Sequence, residues 1–106
     1  MRKIDLSNYD VEVHTEEGIK KIPYDVKESV VSGMYHSELR LGARELFDND
    51  RVAQKINSAH GHVLLEEADY QKVKTAFETI KGFRKEDLEL VRRVLDAPEV
   101  TVKEGE

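Results

Sequence analysis

The sequence predicts an α+β domain: an N-terminal β-hairpin and one or two short later strands packed against four or five α-helices. Three patterns predict it. "KIDLSNYDVEVHT" alternates apolar and polar residues with a period of two, as a strand with one wet face does. Gly18 follows and can take the positive φ of a tight reversal, after which "IKKIPYDV" reads as the return strand. Beyond Asp25 the apolar residues change to helical spacing. The 106 residues suit one small domain. Its expected parts are a hairpin region (1–25), a helical segment (26–60), a strand with a helical hairpin (61–98), and an edge strand with a charged tail (99–106).

Each element has a local reason. In the hairpin, Ile4 and Leu6 share one parity, and Tyr9, Val11 and Val13 share another. Ile22 and Tyr24 are expected to face inward. Pro23 cannot donate to a ladder, so its strand is an edge or ends there. Asp25 and Glu28 have the spacing of a capping box, and Val26, Val30, Val31 and Met34 follow as a short helix. "HSELRLGARELF" restarts the helix with Ser37 as N-cap and Leu39, Ala43, Leu46 and Phe47 as its stripe. Asp48, Asn49 and Asp50 are poor helix formers that either bend this helix or are carried through it into "RVAQKINSA". Gly61 stops it, and Val63, Leu64 and Leu65 can form a short strand.

"EEADYQKVKTAFETIKGF" is the strongest helix. Tyr70, Val73, Phe77 and Ile80 form its stripe, with Ala76 between, and Glu67 and Asp69 suit the dipole of its first turn. Gly82 ends it, and Phe83 can pack back as in a Schellman motif. "RKEDLELVRRVLDA" is the last helix, stopped by Pro98. Val100 and Val102 suggest a final edge strand.

The expected core is Ile4, Leu6, Val11, Val13, Ile22, Leu39, Leu46, Phe47, Ile56, Leu64, Val73, Phe77, Ile80, Leu88, Val91 and Leu95. Full burial of each large side chain contributes about 1.5–3 kcal/mol. With hydrophobic residues at 39% and charged residues at 37%, such a core is thin after chain entropy, and a homodimer is expected to complete it.

Composition also excludes. The net charge of −5 opposes general attraction to phosphate, so nucleic acid is not the favoured partner. The absence of cysteine removes disulfides, thiolate metal sites and cysteine nucleophiles. No apolar run approaches a membrane span, and no apolar stretch follows the N-terminal charges, so a cytoplasmic protein without a membrane partner is expected. There is no G-x-S-x-G, phosphate loop, dinucleotide fingerprint, HExxH or complete EF-hand loop. The reading is therefore no enzyme, no catalytic residue, no cofactor and no metal.

The candidate interaction residues are Val30, Met34, Tyr35, His60, His62, Lys81, Arg84, Lys85, Arg92 and Arg93. Val30, Met34 and Tyr35 are apolar on a short helix, and Met and Tyr are common at binding surfaces; plain core is the competing reading. His60 and His62 flank Gly61 and could give two imidazoles to a metal-dependent hydrolase. No recognised ligand spacing accompanies them, so they read as turn residues that could touch a partner. Glu66, Glu67 and Asp69, and separately Asp48 and Asp50, read as helix-capping carboxylates rather than an acid/base pair. Lys81, Arg84 and Lys85 surround a turn and Arg92 and Arg93 follow; they could meet phosphate or an acidic partner, but interleaved carboxylates favour an ion-paired face.

"KIDLSNYDVEV", "IPYDVKESVV" and "VLLEEADYQKVKTAFETIKGF" followed by "LVRRVLDAPEV" resemble a class of small proteins encoded in tailed-bacteriophage genomes. The resemblance covers most of the chain in style and carries no diagnostic motif. It implies a short hairpin, then helices, then an acidic end. It also implies a phage accessory, regulatory or morphogenesis factor that acts through protein contacts in the host cell cytoplasm. The expected partner is a second copy or another phage or host protein. The alternative is a nucleic-acid-binding regulator that uses the basic turn between the last two helices.

Overall fold

A computed structural model describes residues 1–101. It is an α+β fold with an N-terminal hairpin: β1 (Arg2–Asp5), β2 (Tyr9–Thr15), β3 (Gly18–Tyr24), α1 (Val26–Gly33), α2 (Ala43–Ser58), β4 (His62–Leu65), α3 (Glu67–Thr79) and α4 (Leu88–Leu95). Short 3-10 turns at Ser37–Leu39 and Lys85–Asp87 join the helices.

The N-terminal alternation is two strands, not one. Asp5 accepts bonds from the Ser7 N–H (2.9 Å) and Ser7 Oγ (2.7 Å), and this turn ends β1. β1 then pairs antiparallel with β4, while β2 pairs with β3 in a separate sheet. On the other edge of β1, the Lys3 N–H donates to the Pro98 carbonyl and the Val100 N–H to Met1, with an isolated bridge between Arg2 and Glu99. The expected final edge strand is this single bridge; Val102 lies outside the described residues. Ile4 pairs with Val63 on the inner face of this sheet, and Leu65 is buried beside them. Leu64 takes the outer face and is 37% exposed, against expectation: adjacent strand residues cannot both point inward.

The core is built from Ile4, Leu6, Val26, Val30, Met34, Val52, Ala53, Ile56, Tyr70, Val73, Phe77, Leu90 and Val94 around α3. Asp25 caps α1 by accepting from the Glu28 N–H at 3.0 Å. At Ser37 the helix does not restart. His36 caps a 3-10 turn instead, Arg40 takes a left-handed φ of 49°, and Gly42 precedes α2 in extended conformation. α2 runs unbroken through Asp48-Asn49-Asp50. Its buried stripe is Asn49, Val52, Ala53 and Ile56; Asn49 Nδ2 donates to the Met34 carbonyl at 2.9 Å, which satisfies a polar group inside the core.

α2 ends at Ser58, ahead of Gly61, whose φ of 76° serves the turn into β4. α3 ends at Thr79 with an extended Ile80, so no Schellman motif forms. Phe83 nevertheless stacks on Phe77 at 5.7 Å.

Beyond its root, where Tyr9 and Tyr24 pack against the core, the hairpin stands away from the helices. The radius of gyration is 15.0 Å, against about 13 Å for a compact chain of this length. Val11 and Val13 are therefore half-exposed and Ile22 is 45% exposed, not core. The two-residue turn closes on Thr15–Gly18, which makes that pair, and each second pair outward, hydrogen-bonded. Asp10–Pro23 is then a non-hydrogen-bonded pair, and the missing N–H of Pro23 falls on the open edge. Leu39, Val91 and Leu95 are only partly buried, and Leu46, Phe47 and Leu88 are exposed, where the sequence placed them in the core. Among the described residues no helix is long and apolar enough to cross a membrane.

Candidate interaction surface

α4 carries two apolar stripes. Leu90 and Val94, continued by Ala97, face the core. Leu88, Val91 and Leu95, spaced i, i+3 and i+7, face the root of the hairpin. Between this second stripe and Tyr9 and Val11 of β2 lies an open groove of about 670 Å³. Leu88 is 69% exposed at its mouth.

The groove has fixed walls. Tyr9 Oη donates to the Glu86 carbonyl at 2.8 Å and accepts from the Leu90 N–H at 3.3 Å. Tyr24 Oη donates to Asp87 Oδ1, and the two tyrosine rings stack at 4.9 Å. Arg93 lies over the Tyr9 ring at 5.2 Å and donates to the Ser7 carbonyl at 2.6 Å. Partial burial raises the Tyr9 and Tyr24 hydroxyls above the ordinary tyrosine range, so both stay protonated donors at neutral pH.

A second apolar patch lies on the first turns of α2, which overhang the core. Phe47 is 75% exposed and Leu46 46%. Tyr35 lines the same patch, and its hydroxyl donates to Asp50 at 2.6 Å. That carboxylate raises the Tyr35 hydroxyl above its ordinary value.

The residues singled out in the sequence are dispersed. Val30 and Met34 are fully buried and unavailable to a partner, which settles them as core. Tyr35 remains at the surface beside Phe47. His60 and His62 are exposed, and His62 lines a cleft with Lys3, Asp5, Arg92 and Arg93. Among the described residues no three His, Asp or Glu side chains are placed to hold one metal ion.

Lys81 lines an opening beside Phe83, Lys85 and Arg92 line the groove, and Arg92 and Arg93 line the His62 cleft with Lys3. Arg92 and Arg93 both donate to Glu89. The backbone N–H of Arg84 is capped by Asp87 at 2.8 Å.

Asp69 was expected as a dipole partner and is instead a buried anchor. Its carboxylate accepts from Arg51 (2.8 and 3.3 Å) and Lys55 (2.7 Å), joining α3 to α2. The bond from Arg51 holds its pKa at about 2. Sequence reasoning also missed Leu88, Leu46 and Phe47 as surface residues by assigning them to the core. The sequence offers α4 two equally good apolar stripes, Leu88-Val91-Leu95 and Leu90-Val94, and spacing does not say which one faces the core.

No protein-family model matches the chain, and no curated protein or solved structure matches it either.

Proposed function

We propose that this chain is a non-enzymatic protein–protein interaction protein, of the phage accessory, regulatory or morphogenesis kind that its sequence resembles, acting in the host cell cytoplasm. The observation that carries the reading is Leu88, 69% exposed at the mouth of a rigid groove whose walls are Tyr9, Val11, Val91 and Leu95. Clustered apolar surface costs about 25 cal/mol per Å² while it faces water, and burial in a contact recovers it. The groove is held open by the tyrosine and arginine bonds at its root, so little ordering is required on binding. Arg92 and Arg93 are paired with Glu89 and give no comparable support to phosphate binding.

The test is quantitative affinity capture from the native host with the wild-type protein and Leu88→Asp. The expected result is a protein partner retained by the wild type and lost by the variant. Identical captured sets, together with a solution mass equal to one chain, would overturn the reading.

A further inference from the structure

We infer that a cleft between α2 and α3 binds an aliphatic primary ammonium, a small free amine on a short alkyl chain. The cleft is open, with a volume of about 370 Å³. It shares no lining residue with the Leu88 groove, so this inference is independent of the interaction reading above.

The starting point is Asn49, which is only 7% exposed. Its Nδ2 donates to the Met34 carbonyl, but its Oδ1 accepts no hydrogen bond among the described residues. Among those residues no sealed-in side-chain polar atom lacks a partner, so Oδ1 opens to the cleft that Asn49 lines. A nearly buried acceptor at the floor of a cleft favours a ligand that donates to it.

Two further acceptors line the same cleft. Gln71 of α3 has its Nε2 committed to Glu67 at 3.0 Å, which leaves its Oε1 for a ligand. Glu45 stands one turn before Asn49 on α2 and carries no ion pair among the described residues. The cation of the cleft, Lys72, has the Asp48 carboxylate at 3.9 Å to balance it. One carboxylate is therefore left over, and an ammonium group supplies both its countercharge and three N–H donors.

The remaining wall narrows the class. Leu39, Leu41 and Ala76 give the cleft an apolar side, against which an alkyl chain gains and a bare metal ion gains nothing. An anion would meet Glu45 and two acceptor oxygens. A quaternary ammonium has no N–H to donate, and no aromatic ring lines the cleft to hold it by its charge.

Titration of the isotope-labelled full chain with n-butylammonium chloride, followed by amide NMR, tests it. The side-chain amide of Asn49 should shift together with backbone amides of residues 39–45 and 71–76, saturating with a Kd of about 1–10 mM. Butan-1-ol and tetramethylammonium chloride at equal concentration should leave those signals in place. Asn49→Leu and Glu45→Gln should each weaken binding about tenfold, as loss of a hydrogen bond to a charged group does. Gln71→Leu replaces the first variant if circular dichroism shows it unfolded.

Shifts that never saturate, equal shifts with the alcohol or the quaternary ion, or a Glu45→Gln variant that binds like wild type would overturn the inference. None of these outcomes touches the Leu88 groove, whose test is capture of a partner.

Discussion

Asp69 of α3 holds Arg51 of α2 with two bonds, 2.8 and 3.3 Å long, and takes Lys55 as well at 2.7 Å. The carboxylate is almost fully buried while both cations remain half-exposed, so the pairing is an anchor at the edge of the core. Asp69→Asn keeps the volume and removes the charge. The folded pKa of about 2 lies below the ordinary 3.8, so the ionised form is the one the fold favours. Its contribution is present above about pH 4 and is lost as pH falls toward 2. Urea denaturation should show the variant about 1–2 kcal/mol less stable at pH 7, with the gap closing near pH 2. An equal gap at both pH values would remove the ion pair as its cause.

Gly33 closes the helix-to-helix contact between α1 and α3. A Cβ there would stand 2.9 Å from Phe77 Cε1, and Phe77 is buried with Phe83 stacked against it. Gly33→Ala should lower stability by about 1–3 kcal/mol, read as a fall in Tm of several degrees per kcal/mol. An unchanged or raised Tm would mean that the ring has room to move.

The Tyr9 hydroxyl bridges the Glu86 carbonyl and the Leu90 N–H, joining the hairpin to the start of α4. Tyr9→Phe leaves both backbone groups without that partner, a loss of about 1 kcal/mol. Amides of β2 and β3 should exchange roughly five- to tenfold faster, while those of α3 keep their protection. Uniform acceleration throughout would show that the hydroxyl supports the whole fold rather than the hairpin.

Leu88 and Leu90 sit two residues apart with opposite roles. Leu90→Ala removes a buried side chain and should cost about 2–5 kcal/mol, whereas Leu88→Ser should stay within about 0.5 kcal/mol of wild type. Thermal melts of dilute protein separate the two. A large loss from Leu88→Ser would place it in the core, where the sequence had put it.

The fold class was legible because its signals are local. α3 shows one stripe, Tyr70, Val73, Phe77 and Ile80, with polar residues on the opposite side, and that stripe is buried. The surface was harder to read for four physical reasons. α4 has two stripes, and nothing in Leu88, Val91 and Leu95 marks them as less buried than Leu90 and Val94. In α2 the core stripe passes through Asn49, whose polarity is tolerated only because the Met34 carbonyl accepts its N–H. Spacing alone therefore pointed to Leu46 and Phe47. For Asp69, a first-turn position announced helix capping, while the cations that claim it lie on a different helix. The hairpin pattern gave the pairing and its alternation but not whether any helix would cover it.

Hydrogen–deuterium exchange of the wild-type protein, alone and with its captured partner, tests most directly the claim that the Leu88 groove is a contact surface. Slower exchange with the partner is predicted in residues 9–13 and 88–92, with α3 unchanged. Exchange that is the same in these segments with and without the partner would contradict it.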